Sequence, residues 1–576
     1  MNRLTTPLLL SLFLSACIQT PPTPPPIQPP APSTEFELHA ISSMVKLHNS
    51  EAPYADLSGI ELSSWANVSA AKNEREAFQL IISANQTELQ NVQVAASDLS
   101  GPAGNLISSS NIELFYVHFI ELTEASDELG GTGYYADALP PLNNEFEVEK
   151  GANAAIWVKL SVPENVVAGE YEGSLNVSTS NAGSASLPVH LRVWNFSLPE
   201  KPSMTAVFGI SANALSFAYD LKGSELDEKL DEYLSFMLQN KVVPFSGIGH
   251  LYPSAEWNGE EVEVWFTDEQ LSYMKKYINQ YHASTWQFPI GKWMADAKFM
   301  QGTAPFSPEF NERMRQYIEK TIAIYKQEGI WNNGEYFTWI VDEPKTREAY
   351  EEVNDWSALV AGASPRPKFM VTEQITKQDA AWPALQNIDL WCTSMKVFVV
   401  DERADESRYE GEEWWWYNGG FGADYPNPEL IDRQPAVGRV IPWYTYKLGI
   451  DGYLYWATTY WGSFANNPWN SPKLLQQVAD MLGYPNGAGY MFYPSTLISN
   501  HTPMNNIEGV TTSIRWEVFI DGLEDYEYLT MASAGARIQA LNLIIDSSNK
   551  LSFSKEPGDY EEARRILAEN IEANMR

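Results

Sequence analysis

The hydrophobic rhythm of the chain changes at Leu198-Pro199-Glu200-Lys201-Pro202, and that change limits the fold more than any other feature. Beyond it, short apolar runs alternate with longer helical stretches. The runs are Thr205–Ile210, Val242–Gly247, Trp286–Gly291, Tyr336–Val341, Lys368–Glu373, Leu390–Lys396, Trp414–Tyr417 and Tyr453–Ala457. Helical periodicity fills the intervals, for example over Glu225–Asn240, Glu309–Gln327, Arg347–Ala361 and Ser471–Leu482. The last of these opens with a capping serine and a first-turn proline. About eight such units predict a (β/α)8 TIM-like barrel. A doubly wound sheet is the alternative, but no Gly-x-Gly-x-x-Gly follows any of the runs, which leaves a dinucleotide fold little support.

Ahead of the boundary the period is two. Phe78, Leu80 and Ile82 alternate with polar or small residues, as do Ile156, Val158, Leu160 and Val162, and Val189, Leu191 and Val193. This pattern marks strands with one buried face, and the turn signals Ser100-Gly101-Pro102 and Asn181-Ala182-Gly183 separate them. Short strands with regular turns predict a β-sandwich. The segment from Ser513 to the C-terminus reads as mainly helical and is expected to pack on the barrel. The expected multidomain α and β architecture is thus a β-sandwich over 35–202, a barrel over 203–512 and C-terminal helices over 513–576.

The first 34 residues read differently. Arg3 precedes an apolar run, Leu8 to Leu14, that is too short to span a bilayer as a mature helix. Leu14-Ser15-Ala16-Cys17 resembles the lipobox of bacterial lipoproteins, which implies a signal peptide over 1–17 and lipidation at Cys17. An ordinary secretory signal with a chance cysteine is the alternative. The Pro-rich linker over 18–34, with TPPTPPPIQPPAPS at its centre, is a semi-rigid spacer suited to lifting a domain off a membrane. Ile18 offers no retention acid after the lipid cysteine, which points to the outer membrane of a bacterial cell envelope. Cys392 is the other cysteine, so lipidation at Cys17 leaves no intrachain disulfide.

Charge excludes some partners. With 74 acidic and 38 basic residues the net charge is −36, which disfavours nucleic acid and polybasic membrane contact. The seven histidines make no zinc-ligand spacing, and no serine-nucleophile elbow or phosphate loop appears. No cofactor or metal is implied, and carboxylate chemistry remains. The 20 Trp, 29 Tyr and 24 Phe offer apolar faces on which sugar rings stack, although most such rings serve a core.

The run from Tyr336 ends in Asp342-Glu343-Pro344. Strand C-termini form the active face of a barrel, and a carboxyl in that apolar mouth is expected to have a raised pKa. Capping of the following helix is the competing role for the two acids. Neighbouring acids are poorly placed to flank a glycosidic bond from two sides, about 5 Å or more apart. They suit substrate assistance, in which a sugar's own 2-acetamido oxygen attacks the anomeric carbon. The aspartate then orients the acetamido group, and the glutamate protonates the leaving oxygen and later activates water.

Several segments resemble glycoside hydrolase family 123, whose members include β-N-acetylgalactosaminidases. They are Asn73-Glu74-Arg75-Glu76-Ala77-Phe78-Gln79, Ala168-Gly169-Glu170-Tyr171-Glu172-Gly173, Val193-Trp194-Asn195-Phe196-Ser197-Leu198-Pro199 and Val341-Asp342-Glu343-Pro344. Asp451-Gly452-Tyr453-Leu454-Tyr455-Trp456, Ser513-Ile514-Arg515-Trp516-Glu517 and Asp521 to Leu529 complete the match. The resemblance implies Asp342 as the acetamido-orienting residue and Glu343 as the acid/base. It also implies an exo-acting, retaining enzyme on glycans with a terminal N-acetylhexosamine, held at a membrane by its N-terminal lipid. The chain departs from the family pattern at Ala488, in place of an aspartate between glycines, at Ser495, at Ala136 and at Ile520.

Other residues are candidates for the sugar pocket. They are Trp416 and Tyr417 from Trp414-Trp415-Trp416-Tyr417, Tyr455, and the stacking platforms Trp456 and Trp461. Tyr417 or Tyr455 is the expected donor to the acetamido carbonyl. Glu373 is a candidate for a sugar-hydroxyl contact, or for the nucleophile of a conventional retaining glycosidase, which is the second reading of the chain. A catalytically inactive glycan-binding lipoprotein is the third. Glu517, Glu524 and Asp525 are expected to form structural salt bridges.

Overall fold

The structure is a computed structural model. It describes residues 35–331, 335–372, 382–395, 413–418, 426–461, 467–470, 485–497, 502–546 and 552–575.

The N-terminal region is rich in strands. One antiparallel sheet runs in the order Glu37–Ser42, Glu74–Ser83, Asn153–Val162, Ile112–Tyr116. A seven-stranded sheet is built around the hairpin of Gly169–Ser178 and Ser184–Ser197. The alternating residues Phe78, Leu80, Ile82, Ile156, Val158 and Leu160 share a core with Leu175, Leu191 and Val193 of that second sheet. The sequence pattern gave these strands one buried face. In the structure the other face of the first sheet is buried too: Ala77, Ile81 and Trp157 pack with Ile514 and Val518 of a C-terminal helix. Apolar residues at both parities therefore each have a place.

Eight parallel strands follow, numbered here in chain order: β1 Thr205–Gly209, β2 Val243–Phe245, β3 Thr285–Gln287, β4 Glu335–Trp339, β5 Lys368–Val371, β6 Leu390–Ser394, β7 Glu413–Tyr417 and β8 Gly452–Tyr455. Each falls within or overlaps one of the eight apolar runs. Their order is 2-1-8-7-6-5-4-3, so the sheet curls into a nearly closed barrel whose β2 and β3 edges are not joined by a ladder. The Gln287 side chain bridges that gap, its Oε1 accepting from the Ser246 amide at 2.8 Å.

Strand parity sorts the side chains. Val207, Val243, Phe245, Phe337, Met370, Leu390, Cys392, Trp415 and Leu454 fill the barrel axis, with Trp339 and Tyr417 packed on them. Residues of the opposite parity, among them Phe208, Tyr336, Trp391, Trp414 and Trp416, meet the helical layer. The helices of that layer are α1 Ala212–Tyr219, α2 Ser224–Gln239, α3 Asp268–Tyr281, α4 Pro308–Gln327, α5 Arg347–Ala361 and α6 Ala436–Leu448. The helix expected over Ser471–Leu482 lies outside the described residues.

The C-terminal segment forms α7 Ile514–Met531, α8 Ala534–Ile544 and α9 Pro557–Met575. Helix α7 is buried almost all round and carries its charges into the interior, where each needs a partner. Arg515 meets Asp137 of the N-terminal region at 2.9 Å and donates to the carbonyls of Glu429, Gly487 and Tyr490. Asp525 pairs with Arg439 at 2.7 Å and with Arg564 at 3.2 Å. Glu517 lies 3.6 Å from Lys159, and Glu524 accepts the Arg75 amide at 3.3 Å.

Candidate active site

The C-terminal ends of β4, β5 and β7 bring a small set of polar groups together. Strand β4 stops at Trp339, and the chain turns through Ile340 and Val341 to Asp342-Glu343-Pro344. Glu343 has φ +38°, a left-handed conformation that costs a non-glycine residue on the order of 1 kcal/mol or more. Thr346, not either acid, caps α5, its side chain accepting the Ala349 amide at 3.2 Å. The capping role is thereby filled and both carboxylates are left for the barrel mouth.

One hydroxyl fixes the turn. Thr372, at the end of β5 and 3% exposed, accepts the Glu343 amide at 2.8 Å and the Trp339 indole N–H at 3.3 Å. It donates to Asp342 Oδ1 at 3.1 Å. The Glu343 carboxylate is held at both oxygens. Tyr417 donates to Oε1 at 2.6 Å from the end of β7, and Lys345 donates to Oε2 at 2.6 Å.

The two acids are tuned in opposite directions. Burial raises the Asp342 pKa above the ordinary aspartate value, and the neighbouring Glu343 charge adds to it against the Thr372 hydrogen bond. Burial pushes Glu343 upward as well, but the hydrogen bonds from Lys345 and Tyr417 outweigh it and hold that carboxyl below its usual value. The raised pKa expected of an acid in this mouth thus belongs to Asp342, and Glu343 is corrected to a depressed one. Tyr417 itself is pushed far up by burial and by the Glu343 carboxylate, so it remains a donor.

Asp342 lines a cavity of about 690 Å³ between the ends of β1 to β4. Its wall also includes Ser246, His250, Tyr252, Gln287, Trp293 and Trp339. Among the described residues no group of three or more His, Cys, Asp or Glu is arranged to hold a metal ion.

Of the residues singled out in the sequence, Asp342, Glu343 and Tyr417 come together. Trp416 does not join them: it is fully buried under the helices and donates to Thr445 Oγ1 of α6 at 3.0 Å. Period two made this necessary, because Tyr417 and Trp416 point to opposite faces. Tyr455 is likewise buried outside the barrel wall, packed on Phe208, with its hydroxyl accepting the Gly489 amide at 3.2 Å. Trp461 is a core residue whose indole donates to the Phe492 carbonyl at 3.1 Å. Trp456 follows β8, half-buried, with its N–H 3.4 Å from Glu429. Burial raises the Glu429 pKa to about 8. Glu373 and Cys17 lie outside the described residues. Sequence reasoning missed Thr372, Trp339 and the cavity wall. The signal for the first two was their position at strand ends, since Trp339 shares inward parity with Phe337.

The family model for the glycoside hydrolase 123 catalytic domain matches residues 228–532, and that for the glycoside hydrolase 123 N-terminal domain matches residues 55–179. Among solved structures, the chain is similar to a family 123 glycoside hydrolase from Clostridium perfringens that was studied for glycolipid glycan hydrolysis. Identity is 14% over 94% of this chain and 97% of that one, and the TM-score of 0.64 indicates a shared fold. A Bacteroides ovatus family 5 xyloglucanase aligns at 11% identity over 80% of this chain and 98% of that one, with a TM-score of 0.26. No curated protein sequence matches the chain. With the acid pair inside the catalytic match, and that match spanning more than half of the chain, the protein belongs to glycoside hydrolase family 123.

Proposed function

We propose that this glycoside hydrolase is an exo-acting β-N-acetylgalactosaminidase that retains configuration by substrate assistance. The observation that carries the reading is the adjacent pair at the end of β4. Asp342 opens on the cavity with one oxygen tied to Thr372, while Glu343 is held apart by Tyr417 and Lys345. The acetamido oxygen of the terminal sugar attacks C1 as the C1–O bond to the leaving group breaks. Asp342 accepts the acetamido N–H and stabilises the positive charge of the oxazolinium ring. Glu343 gives its proton to the departing oxygen. Water then attacks C1, Glu343 takes the water proton, and the ring opens to the product with its original anomeric configuration.

In the same reading the N-terminal strands are a β-sandwich and the eight-stranded unit is a variant of the (β/α)8 barrel. Lipidation at Cys17 would hold the enzyme at the bacterial outer membrane. The C. perfringens relative was studied on glycolipid glycans, and a terminal N-acetylgalactosamine on such a glycan is the substrate class we assign here.

The test uses aryl β-glycosides of N-acetylgalactosamine, N-acetylglucosamine and galactose with the chain starting after the Pro-rich segment. Release from N-acetyl sugars alone is expected, with Glu343→Gln losing most turnover on poor leaving groups. Release from the galactoside would place the reaction with conventional nucleophiles, and wild-type rates in Glu343→Gln would remove that residue from the assignment.

A further inference from the structure

Two loops on the far side of the cavity from the barrel axis carry groups that the reaction at Asp342 and Glu343 does not use. The first runs from β2 through a short 3-10 turn, Gly249–Leu251. It presents His250 to the cavity, and among the described residues neither ring nitrogen of His250 has a hydrogen-bond partner, although both are shielded from solvent. A polar group left so is costly unless something else completes it. The ring cannot easily swing away, because the Gln270 side chain donates to the carbonyls of both His250 and Tyr252 at 2.8 Å and pins the loop to α3. Burial lowers the His250 pKa against the pull of Asp227, Asp231 and Glu269, so at neutral pH the ring is uncharged, with one donor and one acceptor. That is the pairing a sugar hydroxyl offers in return.

The second loop leaves β3 and carries Trp293. Its indole is 49% exposed, lies nearly parallel to Tyr252 (ring centroids 5.8 Å apart, 13° between planes) and lines the same cavity. Gly291 makes room for it: a side chain there would fall within 2.6 Å of the indole nitrogen. A large aromatic face fixed from behind and left open in front is a stacking surface for the apolar face of a pyranose. The cavity, at about 690 Å³, sits in the middle of the roughly 300–1,000 Å³ range of pockets for ligands larger than one sugar.

We infer that His250 and Trp293 form a subsite for the sugar on the leaving-group side of the scissile bond, so that the substrate is an oligosaccharide whose second unit is read by stacking and by one hydroxyl. This rests on the exo-acting reading above: a terminal ring whose acetamido group is on Asp342 leaves the rest of the cavity to the leaving group. The test compares methyl β-N-acetylgalactosaminide with a disaccharide of N-acetylgalactosamine β-linked to galactose. For Trp293→Ala, and separately for His250→Ala, the ratio of kcat/KM on the disaccharide to that on the methyl glycoside is expected to fall about tenfold or more. His250→Gln, which keeps a donor and an acceptor, should recover part of the loss. An unchanged ratio in both variants overturns the subsite. If the parent enzyme cleaves neither compound, the function proposed above fails, and calorimetric titration with the disaccharide decides the subsite separately. Weaker binding by Trp293→Ala supports it, and equal or absent binding overturns it.

Discussion

Replacing Lys345 with methionine should make the enzyme faster at neutral pH on substrates that need an acid. Lys345 donates to Glu343 Oε2 at 2.6 Å, and its hydrogen bond heads the effects that hold the Glu343 carboxyl below its ordinary value against burial. A general acid must be protonated, so kcat/KM falls about tenfold per pH unit above the free-enzyme pKa. Removing the ammonium group raises that pKa and moves the alkaline limb up. The Lys345 side chain is 76% exposed, so the pair is discounted to the surface range of about 0.2–1 kcal/mol. At 1.36 kcal/mol per unit this is at most about 0.7 pH unit, or roughly a fivefold rise at pH 7. The assay is the pH dependence of kcat/KM on an alkyl β-N-acetylgalactosaminide, whose leaving group depends on protonation. Stability should move the other way. A carboxyl with its pKa depressed on folding stabilises the protein above the unfolded value and loses that contribution as pH falls through the folded one. Lys345→Met therefore costs up to about 1 kcal/mol at pH 7. An alkaline limb that stays put or moves down would refute the reasoning, because kcat/KM reports the free enzyme in which the ion pair exists.

Thr372→Val keeps the shape but strips the hydroxyl that joins Glu343 N, Trp339 Nε1 and Asp342 Oδ1. We expect kcat to fall on the order of 10- to 100-fold, for the loss of about two hydrogen bonds. Thr372→Ser should restore most of it, and steady-state kinetics on N-acetyl substrates checks both. Arg515→Met leaves Asp137 buried without its guanidinium and removes donors from three carbonyls. It should cost about 3–5 kcal/mol in denaturant unfolding or abolish folding.

The barrel strands were readable because parallel strands covered on both sides are nearly continuous apolar runs, which composition alone exposes. What such a run hides is which parity faces the axis. Trp414-Trp415-Trp416-Tyr417 looks equally aromatic on both faces, and only the bond from Tyr417 to Glu343, 74 positions back in sequence, settles the orientation. In β8 the inward residue is Leu454, and the tyrosines on either side of it turn out to the helices. Aromatic content therefore marked the core more than the pocket. The residues that shape the mouth, Thr372 and the loops bearing His250 and Trp293, carry no periodic signal, since their roles depend on which strand ends become neighbours.

The charge state of the pair was hidden for a related reason. Burial alone argues for a raised pKa at both acids, and it acts on both, but the partners of each decide the sign. Asp342 has a single hydroxyl against burial and rises. Glu343 has a tyrosine and a lysine and falls. For the proposed reaction this resting order is inverted, because the first step needs Asp342 ionised to receive an N–H and Glu343 protonated to give up a proton. A bound acetamido group supplies the missing correction at Asp342, since a hydrogen bond to the charged carboxylate favours ionisation. A sugar that excludes water from the mouth strengthens the burial effect on Glu343 and competes with the exposed Lys345 for its oxygen. Substrate binding and the transfer of one proton's worth of charge between the two carboxyls are then linked, and a leaving group unable to fill the mouth should be protonated less readily than one that can.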